Sequence, residues 1–339
     1  MTALLRRLSK AGFKRDFVRP AILPDWWDDS LASDRRLVSD IELRVARFLG
    51  VSISDVRDPS RDLTVQPSGN TVLRRAGHVE FAKLVPAIHA ARRVAEAVVR
   101  NLKPSVPDPK DLPKSPDEWR AHLASKASPV MLPQMLRDLW ARGIPVIPIA
   151  RLPAPAFQGL ATVIRGRPVI VIGQKHDAPG RVGFFVAHEA GHIANGDCRE
   201  GEAVVDVEEA SSDSSDIELR ADRYASRVLI GDANPDDLPD PRLRTGHFQK
   251  QATVLANHAF EMEQATGAEA GALLFHWARK HNAYPVASMA VAALYRDGGA
   301  LLQLNDLLAD HIDMEPASDT DSALLGLIAG DVGSATAAD

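Results

Sequence analysis

One stretch of the sequence decides how the rest is interpreted: Phe184-Phe-Val-Ala-His188-Glu189-Ala-Gly-His192-Ile-Ala194. Its apolar residues predict a buried helix from about Arg181 to Ala194. Histidines four positions apart lie about 40° apart around a helix, so both imidazoles can reach one metal ion at about 2.0–2.1 Å. Glu189 then lies beside the ion, where it can take a proton from water and pass it to a leaving amine. The stretch predicts a metal-dependent hydrolytic site.

Such a site needs a third protein ligand, and the sequence offers two candidates. Glu218 opens a helix predicted over Asp216–Ile230, after an acidic, Ser-rich segment (200–215) that we expect to be a loop. Cys198 follows His192 by six residues, the ligand offset of the HExxHxxGxxH pattern, but Asn195 occupies the glycine position. We favour Glu218 and keep Cys198 as the alternative. Asp222, one turn after Glu218, is expected to accept an imidazole N–H.

The remaining histidines form no second pair of this kind, and we expect them to be surface or core residues. His176, which precedes the motif helix, could hydrogen-bond a tetrahedral intermediate. A surface or core role is the more ordinary explanation for it too.

The residues before the motif predict a small sheet. A helix is expected over Leu132–Arg142, and a short strand follows within Gly143–Ile149, whose two prolines favour a sheet edge. Gly159–Ile164 and Val169–Ile172 flank a Gly-containing turn and predict a hairpin. Together with the motif helices, these patterns predict an α+β fold that is mostly helical. We expect a metallopeptidase core with a small antiparallel sheet, flanked by N- and C-terminal helical regions.

Composition narrows the cellular setting and the class of partner. The 339-residue chain has a single cysteine, so internal disulfides are excluded, and we expect a cytoplasmic protein without a signal peptide or membrane span. Residues 1–130 hold 23 Lys and Arg against 16 Asp and Glu, a net of +7. The remaining residues hold 17 against 29, a net of −12. The basic half suggests nucleic acid or an acidic partner, and solvated basic helix faces explain it equally well.

Changes in composition divide the chain into five segments. A long helix is predicted from about Val79 to Leu102, and five prolines in Lys103–Asp117 indicate a linker. The predicted segments are a helix-turn-helix-like region (1–72), a helix with a Pro-rich linker (73–128), a metallopeptidase domain (129–235), a C-terminal helical region (236–331) and a tail (332–339).

These motifs resemble the ImmA/IrrE metallopeptidase family over about Pro129 to Ile230. The resemblance rests on the Gly-Ile-Pro-Val strand, the hairpin, His188-Glu-Ala-Gly-His192 and Glu218-x-x-Ala-Asp-x-Tyr-Ala, in the family's order. It implies a zincin-like core in which His188, His192 and Glu218 hold Zn²⁺ and Glu189 is the general base. It also implies a repressor-type protein substrate whose cleavage changes transcription, as in a stress response. The chain departs from the family in Val228-Leu-Ile-Gly-Asp232, which follows a different pattern at the edge of the substrate cleft.

Many relatives in that family carry an XRE-type helix-turn-helix, and residues 41–56 are similar to its first two helices. Ala46 would be the small contact residue and Gly50 the turn. The second helix, however, is expected to end at Asp58-Pro59 after about six residues, which is short for a reader of the major groove. Two interpretations of residues 36–60 therefore stay open: they bind DNA, or they form a helical hairpin that only packs against the rest of the protein.

Two functions follow from these observations. The first is a zinc endopeptidase that hydrolyses a regulatory protein. The second is a non-enzymatic DNA- or protein-binding regulator with a metal-binding, peptidase-like scaffold.

Overall fold

The fold is mostly helical, with one small sheet at its centre. The computed structural model describes residues 1–65, 74–75, 81–124, 128–173, 177–200, 203–206, 216–239, 248–295, 299–315 and 317–328. In this part of the chain the helices are α1 Thr2–Lys10, α2 Arg15–Ala21, α3 Arg35–Leu49, α4 Ile53–Arg57, α5 Phe81–Arg100, α6 Pro116–Leu123, α7 Leu132–Ala141, α8 Pro179–Ala194, α9 Asp216–Ile230, α10 Phe248–Thr266, α11 Ala270–His281, α12 Tyr284–Leu294, α13 Ala300–His311 and α14 Asp319–Leu325. Among these residues no helix is long and apolar enough to cross a membrane.

The sheet is mixed, in the order β1-β5-β3-β4-β2. Its strands are β1 Arg74–Arg75, β2 Val146–Pro148, β3 Gly159–Ile164, β4 Arg167–Ile172 and β5 Ala203–Asp206. β3 pairs antiparallel with β4 and β5, whereas β2 is parallel to β4 and β1 is parallel to β5. The α+β class is therefore confirmed, but the expectation of an antiparallel sheet is wrong at both edges.

The predicted hairpin forms around a two-residue turn. Arg165 and Gly166 both have positive φ angles, 52° and 76°, as a type I′ turn requires. The Glu200 carboxylate accepts hydrogen bonds from both of their backbone N–H groups, at 3.0 and 2.8 Å. Arg165 thereby adopts a conformation that a residue with a side chain rarely takes.

Two hydrophobic cores lie on opposite faces of the sheet. Along β4, Val169 and Val171 join the core built with α1–α5 and α14, while Ile170 and Ile172 join the core built with α7–α12. This alternation follows from the two-residue period of a strand. The sheet is thus covered on both sides, and each core draws on more than one of the five predicted segments.

One segment differs from expectation. Residues 200–215 were expected to be a loop, but 203–206 form β5, where Ala203, Val204 and Val205 are buried. The Pro-rich stretch Lys103–Asp117 leads from α5 into the first turn of α6 and packs on the body of the protein. Its Leu112 is buried, and its Pro113 carbonyl accepts a hydrogen bond from the Tyr224 hydroxyl at 2.7 Å. Residues 201–202 and 207–215 of the expected loop and the tail (332–339) lie outside the described residues.

The N-terminal helical pair matches the sequence prediction in its turn and its short second helix. α3 ends at Gly50, whose φ of 70° lies in the left-handed region, and Ala46 is buried beneath the turn. α4 has five residues, which span about 7.5 Å at 1.5 Å per residue. DNA binding through this pair stays a prediction.

Candidate metal centre

His188 and His192 of α8 meet Glu218 of α9 because Gly191 of α8 puts no side chain between the two helices. Gly191 lies inside the HEAGH sequence of α8 and faces α9. A Cβ atom at this position would lie 3.1 Å from the Tyr224 Cβ and 3.2 Å from the Ala221 Cα. The absence of a side chain at Gly191 therefore lets the first turn of α9, with Glu218, approach both histidines.

Three potential ligand atoms converge between the helices. The Nε2 atoms of His188 and His192 are 3.1 Å apart. The Oε2 atom of Glu218 lies 3.3 Å from the first and 3.6 Å from the second. All three side chains are buried. This group could hold a metal ion.

The size of this triangle fits a tetrahedral zinc site. Ligands about 2.05 Å from a tetrahedral ion are separated by about 1.63 times that distance, or about 3.3 Å. The three observed separations, 3.1, 3.3 and 3.6 Å, bracket this value. An ion could therefore bind with adjustments of a few tenths of an ångström, and the fourth tetrahedral position would remain for water or substrate.

The rear nitrogen of each imidazole faces a carboxylate. His188 Nδ1 lies 3.0 Å from Asp222 Oδ1, and His192 Nδ1 lies 3.2 Å from Asp197 Oδ2. Because an ionised carboxylate only accepts, both imidazoles carry their proton on Nδ1 when neutral. Their Nε2 lone pairs then point at each other and at Glu218. Three electron-rich atoms in such close contact require a positive charge between them.

The pKa values of these groups also indicate that the site favours a positive charge. Burial alone would lower the pKa of His192, but its hydrogen bonds to Asp197 and Glu218 outweigh burial and raise the pKa to about 9. Burial would raise the pKa values of Glu218 and Asp222, but their bonds to the histidines lower both to about 2. The carboxylates are therefore ionised, and the site attracts a proton or a metal cation.

Glu189 lies next to the cluster and against the start of β3. Its side chain is fully buried, and a Cβ atom added at Gly159 would lie 2.3 Å from its Oε1 atom. The carboxylate therefore rests on the bare backbone of Gly159. A carboxylate held there beside a metal ion is suited to receive and return a proton.

The structure brings together the residues that the sequence singled out as ligands. Glu218 completes the group with His188 and His192, and Asp222 accepts from His188 as expected. Cys198, the alternative ligand, is partly buried and does not belong to this group among the described residues. His176 lies outside the described residues.

Sequence reasoning missed Asp197 and two arginines. Asp197 follows Gly196, whose φ of 72° turns the chain back after α8 and returns the carboxylate to His192. An Asp directly after an Asn-Gly pair at the end of the motif helix was an available signal. Arg220 and Arg279 contact the two supporting aspartates, but no local pattern marks them.

Comparison with models of known protein families finds no match, and comparison with curated proteins finds none. The function is therefore inferred from the motifs and from this geometry.

Proposed function

We propose that this protein is a zinc-dependent endopeptidase that hydrolyses a regulatory, repressor-type protein. One observation carries the proposal: the lone pairs of two imidazoles and a carboxylate converge at tetrahedral spacing beside a second buried carboxylate, Glu189. The resemblance of the motif order to the ImmA/IrrE family supports the repressor as substrate class.

The metal ion and the side chains of the protein would have different roles in the reaction. His188, His192 and Glu218 would hold a zinc ion, which supplies Lewis acidity that polarises the scissile carbonyl and acidifies water. Glu189 takes the proton that the attacking water loses and donates it to the nitrogen of the departing amine. Asp222 and Asp197 hold the two imidazoles in the tautomer that presents Nε2 to the ion. Burial of these groups strengthens each of these electrostatic interactions.

The Glu189→Gln variant tests the proposal. An amide cannot accept the proton, so we expect cleavage to fall by at least about 100-fold while zinc content stays at one ion per chain. Proteins cleaved in cells that contain the wild type but not the variant are identified by mass spectrometry. The purified candidate substrate is then digested in vitro. If Glu189→Gln still cleaves it at the wild-type rate, the proposed mechanism is wrong.

The second candidate is a non-enzymatic regulator in which the cluster is a structural metal site. The observation that favours it is the burial of all four side chains, each 3% exposed or less. A structural site, however, gains nothing from a second carboxylate, Glu189, beside the ion, and burying one is costly. If regulation is lost when zinc is removed but is unchanged in the Glu189→Gln variant, the result would support the non-enzymatic regulator. Salt-dependent binding to upstream DNA in a gel-shift titration would identify its partner as DNA.

A further inference from the structure

Each metal-facing imidazole is backed by a carboxylate, and each of these carboxylates is backed by an arginine. Arg279 Nη1 donates to Asp222 Oδ2 at 2.7 Å, and Asp222 Oδ1 accepts from His188 at 3.0 Å. Arg220 Nη2 donates to Asp197 Oδ1 at 3.1 Å, and Asp197 Oδ2 accepts from His192 at 3.2 Å. Two three-residue chains therefore lead from solvent-accessible arginines to the ion site.

The chain that ends at Arg279 reaches outside the part of the sequence that carries the motif. Arg279 belongs to α11, in the C-terminal helical region, whereas His188 and Asp222 belong to α8 and α9. α11 also braces the backbone of Asp222. Ser226 Oγ donates to the Asp222 carbonyl at 2.6 Å, and His276 Nε2 of α11 lies 2.6 Å from the same Oγ. The side-chain carboxylate of Asp222 thus contacts α11 directly, and its backbone carbonyl contacts α11 through Ser226.

We propose that Arg279 is a positioning residue of the metal centre, which acts through Asp222 to fix the ring of His188 and thereby increases the affinity for zinc. The inference rests on the metal site of the proposed function and does not depend on turnover. It gives the C-terminal helical region a role that is separate from substrate selection.

The sign of the change in zinc affinity on removing Arg279 distinguishes positioning of Asp222 from repulsion between Arg279 and the zinc ion. Arg279 is a cation close to a site for a divalent cation, so removing it would tighten zinc binding if only through-space repulsion mattered. If Arg279 orients Asp222, its removal frees the carboxylate to rotate and weakens zinc binding. Because the Arg279 side chain is 45% exposed, we expect a modest loss of about threefold to fivefold. Loss of Asp222 itself should cost about 10- to 100-fold.

A double-mutant cycle, read out as zinc affinity by competition with a chelator in the absence of substrate, tests the proposal. Arg279→Ala should bind zinc about threefold to fivefold more weakly and Arg279→Lys should recover part of the loss. Asp222→Asn should lose about 10- to 100-fold, and the double variant should be no weaker than Asp222→Asn alone. Lys280→Ala is the matched control, because Lys280 is the adjacent cation and pairs with Asp236 instead.

A second cycle tests whether the effect follows the proposed path. Arg279→Ala combined with Asp197→Asn joins residues from different chains of contact, so their losses should multiply. The inference is overturned if Arg279→Ala binds zinc as tightly as the wild type, or if its loss also multiplies with that of Asp222→Asn. A coupled cycle in a protein that cleaves nothing would support the inference and refute the peptidase. An uncoupled cycle with a Glu189-dependent cleavage would do the reverse.

Discussion

If the protein is the proposed peptidase, Gly159→Ala should slow hydrolysis by about 100-fold without removing the metal. An alanine Cβ at this position would lie 2.3 Å from Glu189 Oε1 and 2.9 Å from its Cδ atom. Ordinary van der Waals contact begins at 3.4 Å, so the carboxylate must move by about 1.1 Å, the difference between 3.4 and 2.3. The strand cannot give way instead, because Gly159 pairs with Ile172 on one side and Asp206 on the other.

The size of the effect follows from this displacement. A misplacement of about 1 Å can cost about 100-fold in rate, which corresponds to about 2.7 kcal/mol of transition-state stabilisation. The extra methyl group should also destabilise the fold by about 1–3 kcal/mol. The three atoms nearest to the added Cβ all belong to Glu189 and none to a ligand side chain, so we expect zinc affinity to stay within about twofold of the wild type.

The assay is single-turnover cleavage of the substrate identified with Glu189→Gln, with zinc content and thermal unfolding measured on the same samples. Gly183→Ala is the matched control, because it lies in the same helix, α8. Its new Cβ would meet the end of the flexible Met135 side chain at 3.3 Å and the Leu132 Cβ at 3.9 Å, an ordinary van der Waals contact. Replacing glycine inside a helix should stabilise the control by up to about 1 kcal/mol. A zinc-loaded Gly159→Ala protein that cleaves within threefold of the wild type would refute the assignment of Glu189.

Two further predictions concern the third ligand and the N-terminal core. Glu218→Gln should lose most zinc binding because it removes an anionic ligand, whereas Cys198→Ser should bind like the wild type; the reverse result, by chelator competition, would make Cys198 the ligand. Burial lowers the pKa of His89 to about 4, although the hydrogen bond from its Nε2 to the Phe48 carbonyl, at 2.7 Å, opposes this shift. His89 is therefore neutral in the folded state, whereas in the unfolded chain it protonates below about pH 6.5. Its contribution to stability is therefore present above pH 6.5 and lost as pH falls to about 4, by up to about 3 kcal/mol; in denaturant titrations His89→Gln should remove this slope, and an unchanged slope would contradict it.

The ligand helices could be predicted because their signals are local. The helix over Asp216–Ile230 has the bounds that the sequence predicted, and α8 begins two residues before the expected start. The hairpin followed from a Gly-containing turn between two β-branched runs. His188 and His192 share one face of α8, and Glu218 and Asp222 share one face of α9; both arrangements follow from the 3.6-residue period alone.

The rest depended on pairings between residues far apart in sequence. β5 is a short apolar run inside an acidic stretch, and its pairing with β3 on one side and β1 on the other places Ala203, Val204 and Val205 in the sheet, where they are buried. The parallel pairing of β2 with β4 likewise has no local signature, although the two prolines correctly placed β2 at an edge. Arg279 could not be linked to Asp222 without knowing how α11 packs on α9.

Because of these non-local contacts, the third of the chain that carries the motifs does not form its site geometry alone. β3 supplies Gly159 to the site, yet Leu160 and Ile164 of that strand belong to the core formed with the N-terminal helices. On the other side, α11 supplies Arg279 and shares the second core with α8 through Leu273 and Trp277. A shift of either flanking layer would therefore move a strand or helix that positions Glu189 or Asp222. In this architecture the helices outside the motif set the geometry on which the proposed catalysis depends.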